Sequence, residues 1–146
     1  MSNATLYDHD FYAWSQEQAG LLRAGKLSEA DIQHIAEEIE SLGGSEKREL
    51  VSRLSILLMH LLKWQYQAPR RGRSWRNSVE VQRISLASHM RDNPSLKSVL
   101  EEAITEAYRI ARLEAENETG IDESCFPPTC PWSFDQMLAE DFWPEA

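Results

Sequence analysis

Cysteine is scarce in this 146-residue chain, basic charge is outnumbered, and no long apolar run is present. Each shortage excludes something. The two cysteines, Cys125 and Cys130, lie in CFPPTC, whose proline-containing spacer lacks the second ligand pair of a zinc motif. Reduced, packed thiols are expected there, with no disulfide scaffold. The longest apolar run, Ile56 to Met59, stops at His60, so no segment is expected to span a bilayer. The opening MSNATLYDHD has neither the basic stretch nor the apolar stretch of a secretory signal, and a cytoplasmic location is expected. There is no Gly-rich phosphate loop, because Gly43-Gly44 is not followed by the lysine that such loops need. No Cys–His or Ser–His pairing stands out, and Cys125 neighbours prolines, not basic groups. A net charge of −9 argues against indiscriminate binding to nucleic acid by the chain as a whole.

What is present is helical periodicity. With 42% hydrophobic and 27% charged residues, the composition is that of a globular protein, and one domain over 1–146 is expected. Strand alternation and internal repeats are missing, so the fold class predicted is an all-α bundle of about five main helices. Its core covers about 10–119, and an aromatic C-terminal segment, about 121–143, docks on it.

The central stretch is SEKRELVSRLSILLMHLLKWQYQAPRRGRSWR, residues 45–76. Leu50, Val51, Leu54, Leu57, Leu58, Leu61, Leu62 and Trp64 fall at three-and-four spacing, with Ile56 and Met59 opposite. A helix apolar almost all round is a core element covered by neighbours. Ser45 is its expected N-cap, and Pro69 and Gly72 end it. Upstream, a first helix is predicted from about Asp10 to Ala24, with Gln18 inside its apolar stripe and needing a partner if buried. A second helix is predicted to start from Ser28, to face inward with Ile32, Ile35, Ala36, Ile39 and Leu42, and to end at a tight turn over Gly43-Gly44. Downstream, Ser74 is the expected cap of a helix burying Trp75, Val79, Gln82, Leu86 and Met90. Asp92-Asn93-Pro94 breaks it, and another helix, with Ala103, Ala107 and Ala111 on its inner face, runs on to Gly120.

Candidate working residues fall into two groups. Between His60 and Arg91 the charges are Lys63, Arg70, Arg71, Arg73, Arg76, Arg83 and Arg91 against Glu80 alone, while both flanks are acidic. This asymmetry fits a basic binding patch, with Trp64 and Trp75 interleaved, or an internal match of the arginines to the acidic flanks; the match is the simpler explanation. The second group is a polar seam along the central helix, Glu49, Arg53, His60 and Gln67. With antiparallel packing, His60, His89, Arg53 and Glu38 could meet, with Arg83 at the margin. Such a meeting would serve acid–base chemistry or hold an anion, whereas the plainer reading is a hydrogen-bonded layer that fixes helix register. The four histidines come from separate regions and His34 turns away from Ile32 and Ile39, so no metal and no cofactor are expected.

Two resemblances enter. The blocks DFYAWSQEQAGLLRAG, IAEEIESLGGSEKRELVSRL, HLLKWQYQAPRRGRSWR and ETGI…FPPTCPWSFDQML…DF resemble the bacterial family known as domain of unknown function twenty-nine. That resemblance implies an all-helical fold and carries no activity. Arg53 and His60 have six residues between them, and Arg83 and His89 have five. This is similar to the Arg–His spacing of the helical ribonuclease and nucleotide-binding superfamily of higher eukaryotes and prokaryotes. The function expected is therefore an interaction or regulatory module with a protein partner, working through Arg70, Arg71, Arg73, Arg76, Trp64 and Trp75. Its alternative is nucleic-acid binding or ribonuclease-like chemistry by the Arg/His pairs.

Overall fold

The computed structural model describes residues 3–145. The chain is all-α, and no strand occurs among the described residues. Among the described residues six α-helices follow one another: α1 Asn3–His9, α2 Phe11–Arg23, α3 Ile32–Tyr66, α4 Arg73–Asp92, α5 Leu100–Thr119 and α6 Phe134–Leu138. Short 3₁₀ turns join several of them. None of the described helices is long and apolar enough to cross a membrane. By its contacts the chain divides into two compact units, Met1–Ser45 and Glu46–Ala146.

The predicted turn at Gly43-Gly44 does not form: α3 runs through both glycines as one 35-residue helix. A glycine pair ends a helix by adopting a left-handed conformation, and among the described residues only Gly25 and Gly120 have positive φ. Within a helix glycine costs about 1 kcal/mol without removing a backbone bond, and the flanking Glu, Leu, Lys and Arg are strong helix formers. Ser45, read as an N-cap, instead bonds back to the Leu42 carbonyl at 2.6 Å.

In the first unit, Asp10 caps α2 by accepting the Ala13 N–H, and Gly25, at φ +73°, closes it. Trp14 and Gln18 are buried. The Trp14 indole N–H donates to Asp31 at 3.0 Å, and the Gln18 side-chain carbonyl accepts the Asp31 N–H at 2.7 Å. Gln18 thus finds the partner its position demanded, although its amide nitrogen stays unmatched. The Ser28 start is displaced: Leu27–Glu29 forms a 3₁₀ turn, and α3 begins at Ile32. The inward stripe expected of Ile32, Ile39 and Leu42 is also overturned, since all three are exposed.

The second unit holds the main core. Leu50, Leu54, Leu57, Leu58, Leu61 and Leu62 of α3 have no exposed surface. Each such burial contributes about 1.5–3 kcal/mol, so this face dominates the stability of the unit. Val79 and Leu86 of α4 and Ala103, Ala107, Ala111 and Ala115 of α5 complete it. The alanines repeat every fourth residue and leave room for a neighbouring helix to approach closely. Gly72, not Ser74, precedes α4, and no side chain caps that end. The C-terminal segment docks as expected. Phe126 is buried edge-on to Tyr66, Tyr108 donates to the Pro127 carbonyl at 2.7 Å, and Ser133 with Gln136 forms a capping box on α6.

Candidate functional site

The arginine-rich connection between α3 and α4 is built around Trp64, on the last turn of α3 and buried. The final carbonyls of a helix have no partner within it. The Trp64 carbonyl is one of these, and Arg71 Nε donates to it at 2.6 Å. This places a cation at the negative end of the helix dipole, where it is favoured. The same guanidinium lies over the Trp64 ring, 5.2 Å from its centre. Arg76 stands 5.9 Å from Trp64 and 5.5 Å from Trp143, and the two indoles pack at 4.4 Å. Trp64, Arg71, Gly72, Arg73 and Arg76 line an open hollow of about 440 Å³. Trp75, half-buried, carries the Lys63 ammonium at 4.6 Å, and Lys63 also reaches Glu118 at 3.5 Å.

No ion pair of Arg70, Arg71, Arg73 or Arg76 occurs among the described residues. The predicted internal match to the acidic flanks is therefore not made by these four. Their partners are indole faces, a helix carbonyl and solvent. Aromatic stacking suits the flat, weakly hydrated guanidinium and leaves its N–H groups available at the rim.

The polar seam is brought together in part. Arg53 bonds Glu49 at 3.2 Å and the Gln82 carbonyl oxygen at 3.5 Å. His89, buried on the last turn of α4, directs Nδ1 to Glu49 at 2.8 Å and to Glu46 at 3.7 Å. Its Nε2–H donates to the Glu46 main-chain carbonyl at 2.8 Å. His60 does not join them. It lies 11 positions along α3 from Glu49, about 16 Å at 1.5 Å per residue, and bonds the Ile56 carbonyl at 2.9 Å. Burial pushes its imidazole below the ordinary value. Glu38 belongs to the first unit, where it accepts the Tyr7 hydroxyl. That hydrogen bond, with burial behind it, pushes the Tyr7 phenol up to about 12.

Arg83 is a structural clamp. It donates to the carbonyls of Met137 at 2.7 Å and Phe142 at 2.6 Å, and its guanidinium lies 5.0 Å from the Trp143 ring. His34 is not turned to solvent. It is half-buried, stacked on Tyr7 at 4.0 Å and paired with Asp31 at 2.7 Å. That hydrogen bond raises the His34 imidazole above its ordinary value. Burial pushes the Asp31 carboxyl up, but hydrogen bonds from His34 and Trp14 outweigh it and leave Asp31 below its ordinary value.

One cleft escaped sequence reasoning. About 530 Å³ in volume, it lies between α5 and the C-terminal loop, with Arg109, Arg112, Cys130 and Trp132 on its walls. Arg112 holds the Pro128 and Glu123 carbonyls and leaves a buried Nε without a partner. The signal available was Arg109 and Arg112 three apart on one helix face. Both cysteines are free; Cys125 is exposed and not packed as expected, while burial raises the half-buried Cys130 thiol, which suits packing and not nucleophilic attack.

The blocks that carried the family resemblance occupy these elements, from α2 to the segment after α6. The chain belongs to the family described as a domain of unknown function, DUF29, whose model matches residues 6–143. No curated protein and no solved structure matches this DUF29 chain.

Proposed function

We propose that this chain is a protein-interaction module whose arginine–tryptophan hollow receives an acidic segment of a partner protein. One observation carries the reading: four clustered arginines without an ion pair among the described residues, Arg71 and Arg76 held by indoles and Arg70 and Arg73 exposed beside them, in an otherwise acidic molecule. A short acidic segment would meet only the patch. A long polyanion would also meet the acidic flanks that give the chain its net charge of −9, and that disfavours nucleic acid. At physiological salt the screening length is about 8 Å, so the local basic face can act against the sign of the whole. Two free cysteines suit a reducing cytoplasm as the place of work.

The test is calorimetric titration with a glutamate-rich peptide. Binding is expected to fall steadily as salt rises and to weaken at least about tenfold in an Arg70→Glu, Arg73→Glu double variant. Both residues are exposed, so the fold is expected to survive. Equal binding by the variant would overturn the reading, as would tighter binding of single-stranded RNA or DNA than of the peptide.

A further inference from the structure

Glu46 and Glu49 lie three residues apart on α3, on one side of the helix, and His89 reaches them from the last turn of α4. One potential ligand atom from each of the three lies within 4.8 Å of the others. The imidazole is what makes this more than a pair of surface acids. His89 is 8% exposed, and both its ring nitrogens face acceptors: Nε2 the Glu46 main-chain carbonyl, Nδ1 the two carboxylates. A neutral imidazole has one N–H. Nε2 is engaged by the carbonyl at 2.8 Å, and Nδ1 faces carboxylate oxygens at 2.8 and 3.7 Å, a place that holds a cation: a proton on Nδ1, or a metal ion that displaces it.

A histidine that donates one nitrogen's hydrogen to a backbone carbonyl and offers the other nitrogen is the arrangement that orients imidazole on a metal. The Glu49 carboxylate is supported in the same way, because Arg53 holds its second oxygen at 3.2 Å and Gln82 steadies Arg53. Glu46 and Glu49 side chains are 44% and 43% exposed, so an ion can enter from solvent. Metal–ligand bonds of about 2.0–2.2 Å need only small side-chain adjustments to draw the three atoms into one coordination sphere. We infer that Glu46, Glu49 and His89 bind one divalent transition-metal ion. The imidazole favours a zinc-class ion over magnesium or calcium, which prefer oxygen alone. Three protein ligands leave a coordination position for water. The site is independent of the arginine–tryptophan hollow.

Zinc chloride added to the purified full chain, followed by histidine ¹⁵N NMR and calorimetry, tests this. One ion per chain is expected, with the His89 Nδ1 resonance moving while Nε2 keeps its proton. Affinity should fall on acidification, because proton and metal compete for the same ligands. Glu46→Gln and Glu49→Gln, both at partly exposed positions, should each weaken binding at least about tenfold with helical content unchanged, while Glu106→Gln on α5 leaves it intact. A His89 resonance that stays still, or equal zinc affinity in the wild type and both glutamine variants, would overturn the assignment and identify adventitious binding at other histidines.

Discussion

Arg83 directs its guanidinium at the main-chain carbonyls of Met137 and Phe142, which have no strand or helix partner of their own at that point. Replacing it with methionine keeps much of the bulk and removes the donors. The buried carbonyls then lose their partners, at a cost of about 1–3 kcal/mol. Hydrogen exchange across 134–143 is expected to accelerate in Arg83→Met while α3 keeps its protection; unchanged exchange would show that the aromatic residues alone hold the segment. In the first unit the Asp31–His34 pair sets a pH window. His34 is raised from 6.5, so its contribution is present below that value and is lost as pH climbs through the higher folded one. Asp31 is lowered from 3.8, so its contribution is present above that value and is lost as pH falls through the lower folded one. The pair therefore supports this unit most between roughly pH 4 and 6.5. An NMR titration of His34 should show a midpoint above its ordinary value that drops in Asp31→Asn; an identical midpoint would contradict the pairing.

At the scale of elements, α3 separates what the sequence specified from what it left open. The leucine periodicity from Leu50 to Leu62 identified the core because every turn repeats the same demand for cover. Gly43-Gly44 misled, because glycine is compatible with a turn and with a helix, and only the backbone conformation distinguishes them. Gly43→Ala decides it: nothing lies within 4 Å of the added methyl, so inside a helix the change is expected to stabilise the protein by about 0.5–1 kcal/mol. A fall in the urea midpoint would instead favour the turn. The same helix carries two apolar stripes of different worth. Leu57→Ala should cost about 2–5 kcal/mol, whereas Ile39→Ala, at a position 63% exposed, should stay within about 0.5 kcal/mol.

Across the whole molecule, the all-helical class and the docked aromatic tail were legible because both follow from local pattern and from apolar groups that need cover. The candidate sites were legible only as residue types. Wheel geometry aligned Glu49 and Arg53 on α3, and Gln82 and His89 on α4, and those do meet. It also aligned His60, but a shared helix face says nothing about distance along the axis, and His60 lies turns away. The arginines read from sequence either as a binding patch or as partners for the acidic flanks, because charge counts carry no information about stacking, and the indoles of Trp64 and Trp143 are the nearer partners of Arg71 and Arg76. Five tryptophans distributed through the chain now provide reporters for the proposed function. The most direct measurement is the set of indole ¹H–¹⁵N resonances during titration with a glutamate-rich peptide. Trp64, which lines the hollow, is expected to shift in a saturable way while Trp14, in the first unit, stays in place. Shifts at Trp14 with none at Trp64, or no shift at either, would contradict an acidic partner seated on the arginine–tryptophan face.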